Sequence, residues 1–176
     1  MKKFLILFCA CLLWSFDLVD YSLYQKDDMP SKIKSSFIYN FAKSFQWPDS
    51  NNDQFSIAIL GENTSLLNYL NEMSSTKMIG TKKITVKKYN SISEITKPEI
   101  LYILPDKSSS LADAVTKFKG KGTLLITEKQ GSANAGAAIN FVIENNNIKF
   151  ELNKTSAGKA GLVVSSKIET MALKVF

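Results

Sequence analysis

Residues 31–48, SKIKSSFIYNFAKSFQWP, decide how the rest of the chain is read. At helical spacing Ile33, Phe37, Phe41 and Phe45 recur at i, i+4 and i+8, with Ile38 and Ala42 beside them, the stripe of a helix that faces a core. The other side gathers Ser36, Tyr39, Asn40, Lys43 and Trp47, a polar and aromatic strip where a plain solvated face would do. Pro30-Ser31 supplies an N-cap, and Pro48 cannot continue the helix and turns Trp47 out of it. The strip has two readings. It is either an anchor for a partner or scaffold, with Asn40 and Trp47 packed under the C-terminal hairpin, the amide satisfying buried backbone groups and the Trp N–H finding one acceptor.

A helix with one apolar stripe needs a surface to bury it, and the sequence downstream supplies a sheet. Residues 55–60 (FSIAIL) end at Gly61 and read as a buried strand, and 62–75 as a capped helix with Leu66, Leu67, Leu70 and Met73 on one side. Residues 84–89 alternate as a strand, with a one-turn element at 91–95. Residues 100–104 (ILYIL) are apolar throughout and stop at Pro105, as in a central parallel strand. A second helix uses Leu111, Ala114, Val115 and Phe118, ends at Gly120-Lys121-Gly122 and precedes a strand at 123–127. Residues 137–143 and 148–152, joined by Glu144-Asn-Asn-Asn147, form an antiparallel hairpin. A short helix at 155–160, an extended piece at 162–165 and a terminal helix at 166–175, using Ile168, Met171, Ala172 and Val175, complete the chain. The fold class is α/β: a mostly parallel sheet flanked by helices on both faces, with the C-terminal hairpin at one edge.

Upstream, Lys2-Lys3 and the apolar run 4–14 read as a secretory signal, too short to span a bilayer. The organisation is then a signal peptide (1–16), a tether (17–30) and one domain (31–176), and the protein is periplasmic. The only cysteines, Cys9 and Cys11, lie in the leader, in mid-run where lipidation is disfavoured. The mature chain has neither Cys nor His, which removes disulfides, ordinary zinc sites, the Ser-His-Asp triad and a Cys nucleophile; no metal or cofactor is expected. The 22 basic residues are all Lys and, without Lys2 and Lys3, face 16 acids, a mature charge near +4. With no guanidinium forks, dedicated nucleic-acid recognition is disfavoured. Ser-x-x-Lys occurs at Ser31, Ser74 and Ser156, but the partner boxes of Ser-Lys hydrolases are absent. Gly131 to Gly136 lacks the Lys-Ser/Thr of a phosphate loop and precedes a strand, so it reads as a linker.

Two motifs carry a family resemblance. Lys34, Phe37, Tyr39, Asn40, Phe41, Ala42, Lys43, Trp47 and Pro48 form one; Phe150, Asn153, Ala160, Gly161, Leu162, Ser165 and Ser166 form the other. Together the chain resembles the YfiR-like family of exported bacterial proteins, with Leu152 in place of the usual Ile, Gly136-Ala137 for a Gly-Gly and Ile168-Glu169 for a Leu-Leu. The resemblance implies a non-catalytic periplasmic α/β protein that binds the outer domain of an inner-membrane signalling protein, a diguanylate cyclase or sensor kinase, and modulates it. Its characterised regulators contain disulfides, which this mature chain cannot form. Tyr39, Asn40, Lys43 and Trp47 are the partner-binding candidates. Phe37, Phe41, Pro48, Phe150, Asn153, Gly161, Leu162, Ser165 and Ser166 are structural members of the motifs, with Asn153 a turn-former and Ser165 or Ser166 an N-cap. The membrane is reached through the partner, and pairing with a second copy stays open. The alternative is a binder of small molecules or cell-wall fragments, in the crevice at the carboxyl ends of the parallel strands near Gly61-Glu62 and Pro105-Asp106.

Overall fold

The computed structural model describes residues 28–48 and 52–176; the expected signal peptide, the tether up to residue 27 and both cysteines lie outside the described residues. Helix α1 runs Met29–Ser44, two residues earlier than the Pro30-Ser31 signal suggests, because Asp28 is its cap and accepts from Ser31 N at 3.2 Å and Ser31 Oγ at 2.7 Å. Those hydrogen bonds, the hydroxyl's first, hold the Asp28 carboxyl below its usual range against a smaller opposing effect of burial. The helix stops at Ser44, and Phe45–Gln46 becomes strand β1.

The main sheet has eight strands: β2 (Gln54–Leu60), β3 (Met78–Ile79), β4 (Lys82–Tyr89), β5 (Ile100–Ile103), β6 (Leu124–Thr127), β7 (Ile139–Glu144), β8 (Asn147–Leu152) and β10 (Lys174–Val175). Their order is β10-β8-β7-β6-β5-β2-β4-β3, with β4, β2, β5, β6 and β7 parallel and β7–β8 antiparallel. Helices α2 (Thr64–Thr76) and α3 (Leu111–Phe118) are the crossovers after β2 and β5, and α4 (Lys154–Lys159) and α5 (Ser166–Met171) follow the hairpin. Strand β9 (Val163–Val164) pairs with β1 as a separate two-stranded sheet. Asn145 and Asn146 both adopt positive φ (47° and 60°), the turn a two-residue hairpin connection needs.

Two cores follow from the alternation along the strands. Ile57 and Ile59 face α1 and α2, whereas Ala58 and Leu60 face α3. The terminal helix is shorter than its sequence pattern: it ends at Met171, and the last residues leave as β10, parallel to β8, so Met171 and Val175 are exposed rather than buried.

The larger core is organised by rings. Phe41 is fully buried and lies 5.9 Å from Phe37, 5.0 Å from Phe150, 6.1 Å from Phe141 and 6.4 Å from Phe45, clamping α1 onto the hairpin. The buried side of α1 is Ser31, Ser35, Ile38, Phe41, Ala42 and Phe45, so Ile33 does not belong to it and stands 37% exposed. Phe41→Ala is therefore expected to cost about 3–5 kcal/mol, read as a fall in the urea midpoint, and Ile33→Ala about 0.5 kcal/mol or less. Equal costs would restore the stripe the spacing alone predicts.

Candidate functional site

A groove of about 690 Å³ lies between the first turns of α1 and the hairpin. Met29, Pro30 and Ile33 form one wall, and Phe141, Ile143 and Ile148 the other. Met29 is 50% and Ile143 78% exposed, an unusual state for apolar side chains that face each other across a cleft. Register explains the second wall. Phe141 pairs with Phe150 and Ile143 with Ile148, so both pairs stand on the α1 face of the hairpin; the inner pair is buried, whereas Ile148 is only partly covered and Ile143 is exposed.

A polar network sits in the floor. Lys34 Nζ donates to Glu128 Oε2 in an ion pair whose side chains are 14% and 16% exposed. Glu128 Oε1 accepts from Tyr102 Oη at 3.0 Å. Burial, then the negative charge of Glu128, then the hydrogen bond it accepts push the Tyr102 phenol well above its ordinary range. Lys34 comes from the second turn of α1, Glu128 from the residue after β6 and Tyr102 from the middle of β5, so the network ties the helix to the carboxyl edge of the sheet. Its ring continues the aromatic chain, with Tyr102 5.8 Å from Phe141.

Of the residues singled out in sequence, Tyr39, Asn40 and Lys43 lie on α1 and Trp47 does not. Tyr39 is half-buried against the core with Lys43 Nζ 5.5 Å from its ring centre; Asn40 is half-buried and Lys43 exposed. Trp47 packs 4.9 Å from Phe55 at the far end of the sheet, not under the hairpin, and donates Nε1–H to Ala42 O at 2.8 Å. Pro48 lies against Gly122, where a Cβ would come within 2.9 Å of its ring. Phe37 and Phe150 are in the ring cluster, and Leu162 is buried. Asn153 caps α4, accepting from Ser156 N at 2.8 Å, and its Nδ2 donates to Ala133 O at 2.8 Å, pinning the 131–136 segment. Gly161 has φ +86°, the left-handed exit from α4. Ser165 rather than Ser166 is the N-cap of α5, with its Oγ buried and unpartnered.

The crevice expected between β2 and β5 is occupied: the Asp106 carboxylate lies over Gly61, where a Cβ would meet Oδ1 at 2.4 Å. The concavity at this edge lies instead between α1 and the β7–β8 hairpin, beside Glu128. Lys34 was visible as a motif residue; Glu128 and Tyr102 carried no sequence signal, because the network forms only when three distant segments meet. Among the described residues no group of acidic side chains could hold a metal ion, and no helix is long and apolar enough to cross a membrane.

A family model described as YfiR/HmsC-like matches residues 31–172. No curated protein matches. Among solved structures, a conserved domain protein from Vibrio cholerae is 12% identical with a TM-score of 0.59, and an ABC domain from Streptococcus pneumonia in complex with L-Trp is 11% identical with a TM-score of 0.54. Each match covers 84% of this chain and 60% of the other, so the likeness is one of fold.

The network makes a pH prediction. Below the ordinary phenol value of about 10, the neutral Tyr102 hydroxyl contributes its full stabilisation. As pH rises past it the unfolded chain ionises first, and stability falls until the raised folded value is reached. Tyr102→Phe is expected to flatten this alkaline loss in urea unfolding from neutral pH upward; parallel losses in the two proteins would refute it.

Proposed function

This chain belongs to the YfiR/HmsC-like family, and from that premise we propose that it is a non-catalytic periplasmic regulator of cyclic-di-GMP signalling that binds the outer domain of an inner-membrane signalling protein. The observation that carries this reading is the groove. Three apolar side chains stand exposed around a desolvated ion pair, the composition of an interaction hot spot rather than of a catalytic centre. Seven-residue spacing puts Ile33 and Asn40 on the same side of α1, with Met29, Ser36 and Lys43 close by. The groove thus runs on into an exposed stripe, and Asn40, Lys43 and the neighbouring Tyr39 extend the proposed contact. Trp47 supports it at a distance, by fixing the end of α1.

Ile143 and Ile33 offer the direct test, since both are exposed and their replacement spares the core. Immobilised mature protein should capture a membrane cyclase or sensor kinase from solubilised inner membrane. Ile33→Asp with Ile143→Asp should weaken capture by about tenfold or more, and Tyr39→Ala with Lys43→Ala by less. If the intact protein captures neither class, the reading fails.

The groove's volume also fits a small-molecule pocket with a few convergent polar groups, which favours a second reading as a ligand binder. A compound that binds only the folded state raises the melting temperature, and a periplasmic metabolite doing so in the parent but not in Ile33→Asp would support it.

A further inference from the structure

The edge opposite the groove has a different chemistry. Because β2, β4, β5 and β6 are parallel, the segments that precede them meet at one edge of the sheet. A cleft of about 190 Å³ there is lined by Trp47, Pro48 and Phe55 and rimmed by Lys82, Lys97 and Lys121. The loop before β6 connects it to a second hollow of about 240 Å³, whose rim carries Lys119 and Lys159. That loop is held to α4, with Gly120 N donating to Lys159 O at 3.0 Å and Gly122 N to Ala160 O at 2.8 Å, so lysines from different elements share one rigid rim.

We propose that this edge is a docking face for an anionic phospholipid surface. Charge complementarity carries the argument. Ion pairs engage Lys34, Lys88 and Lys154, and among the described residues none engages Lys97, Lys119, Lys121 or Lys159. Asp53 precedes β2 and Glu99 lines the cleft, its Oε2 accepting from Ser56 N at 2.7 Å and Ser56 Oγ at 2.6 Å, so two negative charges stand against Lys97, Lys119, Lys121 and Lys159 and the rim keeps a positive excess. At the other edge Glu62 and Glu128 are paired with Lys88 and Lys34, and Asp106 is followed by Lys107, so that edge is near balance and the excess positive charge lies on the lysine rim. The lysines are spread around two shallow, mainly apolar hollows instead of converging on one point, which suits a layer of headgroups better than a single small anion. Long Lys stems reach outward from such a rim, each contributing to attraction by anionic lipid. The face adds a direct bilayer contact to the one made through a protein partner, and does not depend on that partner.

With the leader removed, Trp47 is the only tryptophan and lines the cleft, so its emission reports on the face. The mature protein is titrated with vesicles of phosphatidylglycerol and phosphatidylcholine, and with phosphatidylcholine alone. Saturable sedimentation and a change in Trp47 emission are expected only with the anionic vesicles, and both should weaken as salt rises. Lys97→Gln with Lys119→Gln and Lys121→Gln should lower the partition coefficient about tenfold or more, with an unchanged melting temperature showing an intact fold. Equal binding to both vesicles, salt-independent binding, or no binding overturns the proposal. So does inorganic phosphate moving Trp47 emission where anionic vesicles do not, which would make the face a small-anion site. No membrane protein is present in this assay, so its failure leaves the partner reading untouched.

Discussion

The packing of α1 on the hairpin through Phe37, Phe41, Phe141 and Phe150 is the contact on which the rest of the structure depends. Ring pairs of this kind add about 0.5–1.5 kcal/mol each beyond the area they bury, and Phe41 takes part in four. α1 lies outside the strand–helix alternation, so no crossover holds it in place. The rings supply that constraint. They continue from Phe45 to Trp47 at 6.1 Å and on to Phe55, so one aromatic chain runs from the hairpin to the start of β2. With no disulfide possible among the described residues, this packing does work that small exported proteins often leave to cross-links.

The same packing explains why the groove is where it is. A sheet of this order is expected to bind at the carboxyl ends of its first and third parallel strands. Asp106 over Gly61 fills that place. The added helix makes a new one, because α1 crosses the face at the level of Phe141, leaving Ile148 only partly covered and Ile143 exposed. The Lys34–Glu128 pair then lies beneath an apolar cleft. A pair so placed loses solvation that its attraction only partly recovers. Its value is positional: it fixes the rotation of α1 over the sheet and leaves charge available to an occupant.

Much of the architecture was legible. Apolar runs at 55–60 and 100–104, Gly61 and Pro105 after them, and Asn145-Asn146 between two alternating segments report local constraints that sequence displays directly. Ile33 departs from the stripe because spacing gives the period of a stripe but not where its buried arc is centred. The neighbours decide that, and Ser31 and Ser35 are buried here because their hydroxyls find partners in Asp28 and Lys32 O. The terminal helix was overextended for a similar reason: residues 173–176 suit a helix, but the outer edge of β8 offers hydrogen bonds, Leu173 N to Phe150 O and Phe176 N to Leu152 O, both at 2.8 Å. The floor of the groove was illegible, since Tyr102 inside an apolar run and Glu128 after a strand each read as ordinary.

These differences bear on how function is read from the motifs. The family pattern is densest in residues that build the ring cluster, the α4 cap and the Trp47-Pro48 corner, so it marks scaffold first. Asn153 and Pro48 illustrate this: one pins the 131–136 segment through Ala133 and the other seats on Gly122. Lys34 is the exception, a motif residue whose long side chain is buried by its bond to Glu128 rather than by packing alone. Its place in the floor of the groove joins the scaffold to that cleft. A group that reaches the floor of the groove meets Lys34 and Glu128 there, the pair that joins α1 to the residue after β6.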